Sequence, residues 1–400
     1  MDRFLAHGVK TGASDLHFLV GDKPSYRIDG SLHPVKYEPL SPADTEQICE
    51  NLLGDGSDAV LAELQEHDCS YSIEGVARFR VNIYRQRGSL CCILRVIPSK
   101  VPKLGELGLP ERVRGLAEEE RGLVLVTGAT GSGKSSTLAA MIHHINEKRA
   151  AHILTIEDPI EFLHSNARSS ISQREVGPDT RSFTTALRSS LRQDPDVILV
   201  GEMRDPETID IALKAAETGH MVFSTVHTTD AAKTVGRLIS MFPAEEQENA
   251  RLRVADNLKG VISQRLLPRA DGKGRALAAE IMIATKTVQE HIKNAEKTAQ
   301  IKDVLEKGRD QYGMQSFDQH LTDLFRAGAI SRDVALAAAS NPSDFERALS
   351  FSDTSASAAA SEPEPDLSKA DFGFESNGEK QDEASDSILG DGDDEVLELV

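Results

Sequence analysis

Two rhythms of apolar residues sit back to back near the middle of the chain. Gly122-Leu-Val-Leu-Val-Thr127 is a short continuous apolar run bounded by turn residues, which predicts a buried strand. Leu138, Met141, Ile142 and Ile145 then fall at i, i+3, i+4 and i+7, the spacing of one helix face. Further apolar runs at His152–Ile156, Val197–Val200 and Met221–Val226 predict more strands. Before the last of these, Asp205-Pro206-Glu207 opens a helix with a capping residue, a proline at its first position and an acid in its first turn. Ile209, Ala212, Leu213 and Ala216 form its apolar face. Strand and helix patterns alternate from about residue 112 to 349, as in an α/β domain with a mainly parallel sheet.

Residues 1 to 98 have another rhythm. Ala77, Phe79, Val81 and Ile83 alternate with Arg78, Arg80 and Asn82, which predicts a half-buried strand with a basic outer face. Cys91–Ile97 reads as its antiparallel partner, and Ser25–Ser31 as a strand running into an Asp29-Gly30 turn. Pro98 to Pro110 carries prolines and glycines with little periodicity, and residues 99–111 are expected to link two domains, 1–98 and 112–350. The pattern beyond about residue 280 is helical, with Glu290–Lys307 rich in lysine and glutamate. Residues 351–400 are dominated by Ser, Ala, Asp, Glu, Gly and Pro, the composition of a disordered acidic tail. No internal repeat holds a fixed period.

Composition changes this picture in two ways. The net charge of −19 is concentrated at the end: from Asp353 to Val400 the chain has fifteen Asp/Glu and two Lys, a net of −13, which leaves −6 for the first 352 residues. The folded part is therefore mildly acidic, with no charge-based case for a nucleic-acid surface. The four cysteines, Cys49, Cys69, Cys91 and Cys92, include no C-x-x-C pair, so free thiols in a reducing cytoplasm are the plain reading. The start, Met1-Asp-Arg-Phe-Leu5, is unlike a secretory signal, and no run approaches the ~20 apolar residues that span a bilayer. A membrane role is expected to come through a partner.

The chemistry sits between the two central rhythms. Gly128-Ala129-Thr130-Gly131-Ser132-Gly133-Lys134-Ser135 fits the phosphate-binding pattern G-x-x-x-x-G-K-[ST] at every fixed position, and Ser136 continues into the helix. Strand, glycine loop and helix start let backbone N–H groups surround a triphosphate. Lys134 is expected at the outer phosphates of ATP and Ser135 at Mg²⁺. Hydrolysis also needs an acid near the metal and a group to orient or deprotonate water. Two acidic segments follow strands: Glu202, with Arg204 and Asp205 just beyond, and the cluster Glu157, Asp158 and Glu161 around a proline. His220 and His227 bracket the strand Met221–Val226, which places His227 at its carboxyl end, where an imidazole could sense the terminal phosphate. Arg78, Arg80, Arg85 and Arg87 belong to the other domain, so spacing alone leaves two readings: a solvated sheet face, or a guanidinium offered in trans.

Taken together, these segments resemble one family, the type IV pilus retraction ATPases of the PilT/PilU-type secretion ATPases. The resemblance is carried by Ser14-Asp-Leu-His17, Ala77–Asn82, the phosphate loop, Thr155–Phe162 and Asp194–Asp205. It continues through Ala216–His220, Ser224–Thr229 and Gly313–Asp318, in collinear order from about residue 5 to 350. The resemblance implies a PAS-like α+β N-terminal domain, a RecA-like P-loop ATPase domain, a homohexameric ring, and ATP near the junction of the two domains. It makes Glu161 the general base, Glu202 the Walker B acid at Mg²⁺, and His227 and His220 members of a histidine box. The N-terminal arginines, Arg78 and Arg80 among them, would then act across a subunit boundary. It implies a cytoplasmic motor, peripheral at the inner membrane, that turns a pilus platform protein so that pilin returns to the bilayer. Two features depart from the family. Thr287–Asn294 replaces an Ala-Ile-Arg-Asn-Leu-Ile-Arg-like helix, and the acidic tail has no counterpart. The stretches Arg237–Pro243 and Ser340–Phe345 look closer to PilU-type members, which leaves open an accessory role beside a second pilus motor.

Other functions fit less well. Extension ATPases of the superfamily carry a long N-terminal region and a four-cysteine zinc module, and this chain has no Cys after Cys92. A subunit that binds ATP without hydrolysing it would not need Lys134, Glu161 and Glu202 together. A RecA-type nucleic-acid motor would need a basic or aromatic strand-binding stretch.

Overall fold

The computed structural model describes residues 1–28, 30–54, 61, 63–97, 100–347 and 349. Among these, the strands form two sheets. The first holds β1 (Asp15–Phe18), β2 (Ser25–Ile28), β3 (Ser31–Pro34), β4 (Glu66–Ile73), β5 (Ala77–Gln86) and β6 (Ser89–Ile97), in the order β3-β2-β1-β6-β5-β4. Every pairing in it is antiparallel. The alternation in β5 is realised: Phe79, Val81 and Ile83 are buried while Arg80 is exposed. These side chains pack with Leu5, Leu16, Phe18 and Leu94 into a core of their own. Asp29 of the expected turn lies outside the described residues, and Gly30 beside it has φ +83°, a conformation that favours glycine.

The second sheet holds β7 (Gly122–Gly128), β8 (His152–Glu157), β9 (Ser170–Glu175), β10 (Val197–Val200), β11 (Met221–Val226), β12 (Leu258–Pro268) and β13 (Arg275–Ile283). Its order is β13-β12-β7-β11-β10-β8-β9, parallel except at β13. The expected strands and helices recur here, the helix Lys134–Lys148 burying Leu138, Met141, Ile142 and Ile145. Apolar clusters form on both faces of the sheet, as the fully buried runs of β7, β10 and β11 require. The carboxyl ends of β7, β11, β10 and β8 lie side by side, and the chemistry collects there.

Beyond β1 and β4 of the first sheet, which no pattern singled out, three later regions differ from the pattern reading. The polar β9 and the hairpin β12–β13 were not foreseen, the first because an edge strand needs no apolar run. The second mixes apolar residues with Lys259, Ser263, Gln264 and Arg265, so neither a continuous apolar run nor a clean alternation marks it as strand. The proline-rich segment is not a bare connection: Leu104 is buried, and Leu107 and Leu109 pack beside it on the core of the second sheet. Beyond β13 the helices Lys286–Lys293, Ile301–Lys307, Phe317–Arg326 and Arg332–Ala338 follow the helical pattern. The acidic tail lies outside the described residues.

Candidate functional site

The phosphate loop turns out of β7 on glycines that no other residue replaces without strain. Gly128 has φ +144°, and a Cβ there would sit 2.5 Å from both the Gln264 carbonyl oxygen and Ser132 Oγ. Gly131 and Gly133 have φ +78° and +90°, and Gly133 caps the helix Lys134–Lys148. The loop thus brings its N–H groups and a helix N-terminus to one point, a ready anion site. Ser132 Oγ is buried there without a hydrogen-bond partner. Such an orphaned donor fits an anionic ligand in the loop.

Lys134 Nζ lies against the loop, donating to the Gly128 and Ala129 carbonyls at 3.0 and 3.1 Å. Burial draws its pKa below the ordinary lysine value, with the charge of Glu202 opposing. His227 Nδ1 is 3.5 Å from the same ammonium, and His227 Nε2 is 3.4 Å from Glu202. An imidazole with its proton on Nε2 would accept from Lys134 and donate to Glu202, which joins the ends of β7, β11 and β10 in one polar chain. Glu202 also meets Arg204 Nη2 at 2.7 Å. Burial raises the Glu202 pKa, but the hydrogen bond and charge of Arg204, with the His227 contact beside them, outweigh it and hold the carboxyl below its ordinary value. Thr225 Oγ1 donates to the Gly201 carbonyl at 2.7 Å and pins this turn. A carboxylate kept ionised in the same cleft as the exposed Ser135 suits a divalent cation with oxygen ligands.

The acidic cluster leaves the end of β8. Glu157 is held by Thr155 Oγ1 at 2.7 Å and Gln173 Nε2 at 3.2 Å, and burial pushes its pKa up. Glu161 is exposed on the loop that follows. Both line a cleft of about 530 Å³ with Gly131, Gly133, Lys134, Ser135 and Ser136 of the loop, and with Glu202 and His227. Thr130 lines it as well, and Gly128 and Ala129 form the loop's entry. His164 lies in the same wall, its pKa pushed down to about 4 by burial, so its ring is neutral near pH 7.

Not every expected residue meets the cleft. His220 is at the opposite end of β11 from His227, with Nδ1 2.9 Å from the Ala215 carbonyl and 3.1 Å from Thr218 Oγ1. Arg78 engages its own chain: Nη2 is 2.8 Å from Glu175 Oε2, at the end of β9. Arg80 is exposed on the same strand. Sequence reasoning missed Arg95 and Arg275, which line the cleft from β6 and β13. Arg95 opposes Arg80 across the β5–β6 pair and is tied to Asp15 at 2.9 Å. Its only signal was its place on the polar side of a strand read as a plain partner. The first sheet therefore lends a cation to the wall of the phosphate site.

Comparison with known proteins gives one answer. The sequence profile of the type II/IV secretion system protein family matches residues 1–331. The chain is 46% identical over 341 residues to the type IV pilus retraction ATPase PilT of Pseudomonas aeruginosa, covering 85% of this chain and 98% of that one. It is 40% identical over 345 residues to the type IV pilus ATPase PilU of the same organism, covering 86% and 89%. A crystal structure of the pilus retraction motor PilT with bound ADP superposes with a TM-score of 0.80 at 42% identity, covering 86% of this chain and 98% of that one. The chain belongs to the type II/IV secretion system protein family, among its PilT/PilU-type pilus ATPases.

Proposed function

We propose that this chain is the subunit of an ATP-driven motor that retracts type IV pili. The observation that carries the reading is the convergence of Lys134, Ser135, Glu161, Glu202 and His227 on one cleft at the carboxyl end of the parallel sheet. The loop N–H groups and Lys134 would hold the phosphates of ATP, while Ser135 and Glu202 would hold Mg²⁺, which supplies charge neutralisation at the β- and γ-oxygens when bound. Lys134 would leave the loop carbonyls for the phosphates, and His227, between Lys134 and Glu202, would register that change at the end of β11. Glu161, on an exposed loop facing the cleft, would take the proton of the attacking water. Arg80 would be offered to the cleft of a neighbouring subunit, where a guanidinium stabilises charge that develops during transfer.

The motor is proposed to work as a homohexamer at the cytoplasmic face of the inner membrane, through a pilus platform protein. The PAS-like part of residues 1–98 and the RecA-like part of 112–350 would move against each other as ATP turns over. Among the described residues no helix is long and apolar enough to cross a membrane, which fits attachment through a partner. A second reading, an accessory subunit beside another pilus motor, is favoured by the PilU-like stretches Arg237–Pro243 and Ser340–Phe345 and by the helix Lys286–Lys293, which carries Thr287-Val-Gln-Glu-His-Ile where the retraction motors have an arginine-bearing helix. Replacing the chromosomal copy with Lys134→Ala and imaging labelled pili tests both. Pili that extend and no longer shorten support the motor; pili that still shorten under load support the accessory role.

A further inference from the structure

The loop that carries Glu161 has no strand partner of its own, yet it is held by hydrogen bonds at both ends. From Ile160 to His164 they come from side chains of β9 and β8, while Asn146 of the helix Lys134–Lys148 holds the far end at Ser165 and Ala167. Gln173 Oε1 accepts from the His164 N–H at 2.8 Å, and Gln173 Nε2 donates to the Phe162 carbonyl at 2.9 Å. Glu175 Oε2 accepts from the Ile160 N–H at 3.1 Å, one residue before Glu161. The Glu161 N–H faces Glu157 Oε2 at 3.5 Å. Two side chains two apart on one edge strand thus clamp the loop before and after Glu161.

One jaw of this clamp is gripped from the other sheet. Arg78 Nη2 lies 2.8 Å from Glu175 Oε2 and also donates to Ser70 Oγ at 2.8 Å. The Glu175 side chain is 4% exposed and that of Arg78 18%, so the pair is largely removed from water. A buried carboxylate that loses its counter-ion is left uncompensated, and the groups hydrogen-bonded to it shift with it. We propose that Arg78 is a positioning residue: through Glu175 and the Ile160 N–H, the N-terminal sheet latches the loop that presents Glu161 to the phosphate cleft. The latch joins β5 of the first sheet to the edge strand β9 of the second, so the place of the base is set by where the N-terminal sheet lies. This rests on the assignment of Glu161 as base. It gives Arg78 a task within its own chain, separate from any guanidinium offered to a neighbour.

The test uses the full chain with Arg78→Gln, Arg78→Lys, Glu175→Gln and the Arg78→Gln/Glu175→Gln double variant. Steady-state ATP turnover is read beside backbone-amide exchange of the peptide covering residues 157–164, with β7 as internal reference. The latch predicts that Arg78→Gln and Glu175→Gln each lower kcat about tenfold while KM for ATP stays within about threefold, because misplacing a base costs rate and not binding. The double variant falls no further than the weaker single, and Arg78→Lys recovers part of the loss. Exchange at 157–164 quickens in the variants while β7 is unchanged. Loss of turnover in Arg78→Gln with a normal Glu175→Gln variant would overturn the latch and place Arg78 on phosphate. Multiplicative losses in the double variant would overturn it too. Should the wild-type chain turn over no ATP, the motor reading fails and exchange alone decides: unaltered protection at 157–164 in both singles overturns the latch. Should Arg78→Gln not fold, the same comparison stands on Arg78→Lys and Glu175→Gln.

Discussion

Residues of the phosphate loop show how closely the chain is built around an anion. Gly128 is pressed between the Gln264 carbonyl and Ser132 Oγ at a φ of +144°. Gly128→Ala is therefore expected to displace the loop, lowering stability by about 1–3 kcal/mol and weakening ATP binding at least tenfold. A melting curve and a titration with a fluorescent ATP analogue check both. His227 joins Lys134 to Glu202 without belonging to the loop. His227→Ala is expected to lower kcat about tenfold or more while ATP affinity changes little, which a kcat and KM comparison reads directly. An equal rise in KM with kcat unchanged would place His227 in binding alone. The loop was legible from its spacing, since a short motif with fixed glycines states its own backbone. The polar chain through His227 was not, because nothing in a sequence says which imidazole nitrogen meets which partner. Arg95 and Arg275 were hidden for the same reason: an exposed arginine on a strand reads alike whether it faces water or a phosphate cleft.

At the scale of elements, β13 carries a charge that the core does not welcome. Glu280 is 5% exposed, and its Oε1 accepts from the Ala231 N–H at 2.8 Å, at the start of the helix Ala231–Ser240. Burial pushes its pKa from 4.5 to about 7, helped by the charge of Asp230 and opposed by that hydrogen bond, Arg265 and Lys302. The folded chain thus keeps a proton that the unfolded chain has released between about pH 4.5 and 7. Stability contributed by this group is present below pH 4.5, falls as pH rises through 7, and levels above it. Glu280→Gln retains an acceptor for Ala231 and removes the titration. Its melting temperature is expected to change less between pH 5 and pH 8 than the wild type's, with a gain of about 1–3 kcal/mol at pH 8. Equal slopes for the two proteins would show that another group titrates there. Strands with full apolar runs and helices with a cap were readable in advance, β10 and β11 to the residue. The edge strand β9, with its Ser-Ile-Ser-Gln-Arg-Glu sequence, was not, since its role is to hold the Glu161 loop with polar side chains.

For the whole molecule, the division into an antiparallel sheet and a mainly parallel one follows from the change of rhythm near residue 110; the first sheet reaches the cleft through Arg95 and is joined to the second by the Arg78–Glu175 pair. A site assembled in this way answers to motion of one part against the other, which is what a motor requires of its ATPase centre. In the proposed ring, Arg80, exposed on the outer face of β5, would extend the same logic to a neighbouring subunit. We propose that ATP hydrolysis at this cleft, with Glu161 as base, belongs to an assembled ring. ATP turnover and solution mass measured on the same concentration series, for the wild type and for Glu161→Gln, test it most directly. Turnover per subunit is expected to rise with the fraction of hexamer, and a Glu161→Gln variant to still assemble and bind ATP while its turnover falls at least a hundredfold. A monomer without turnover, or a Glu161→Gln variant as active as the wild type, would contradict it.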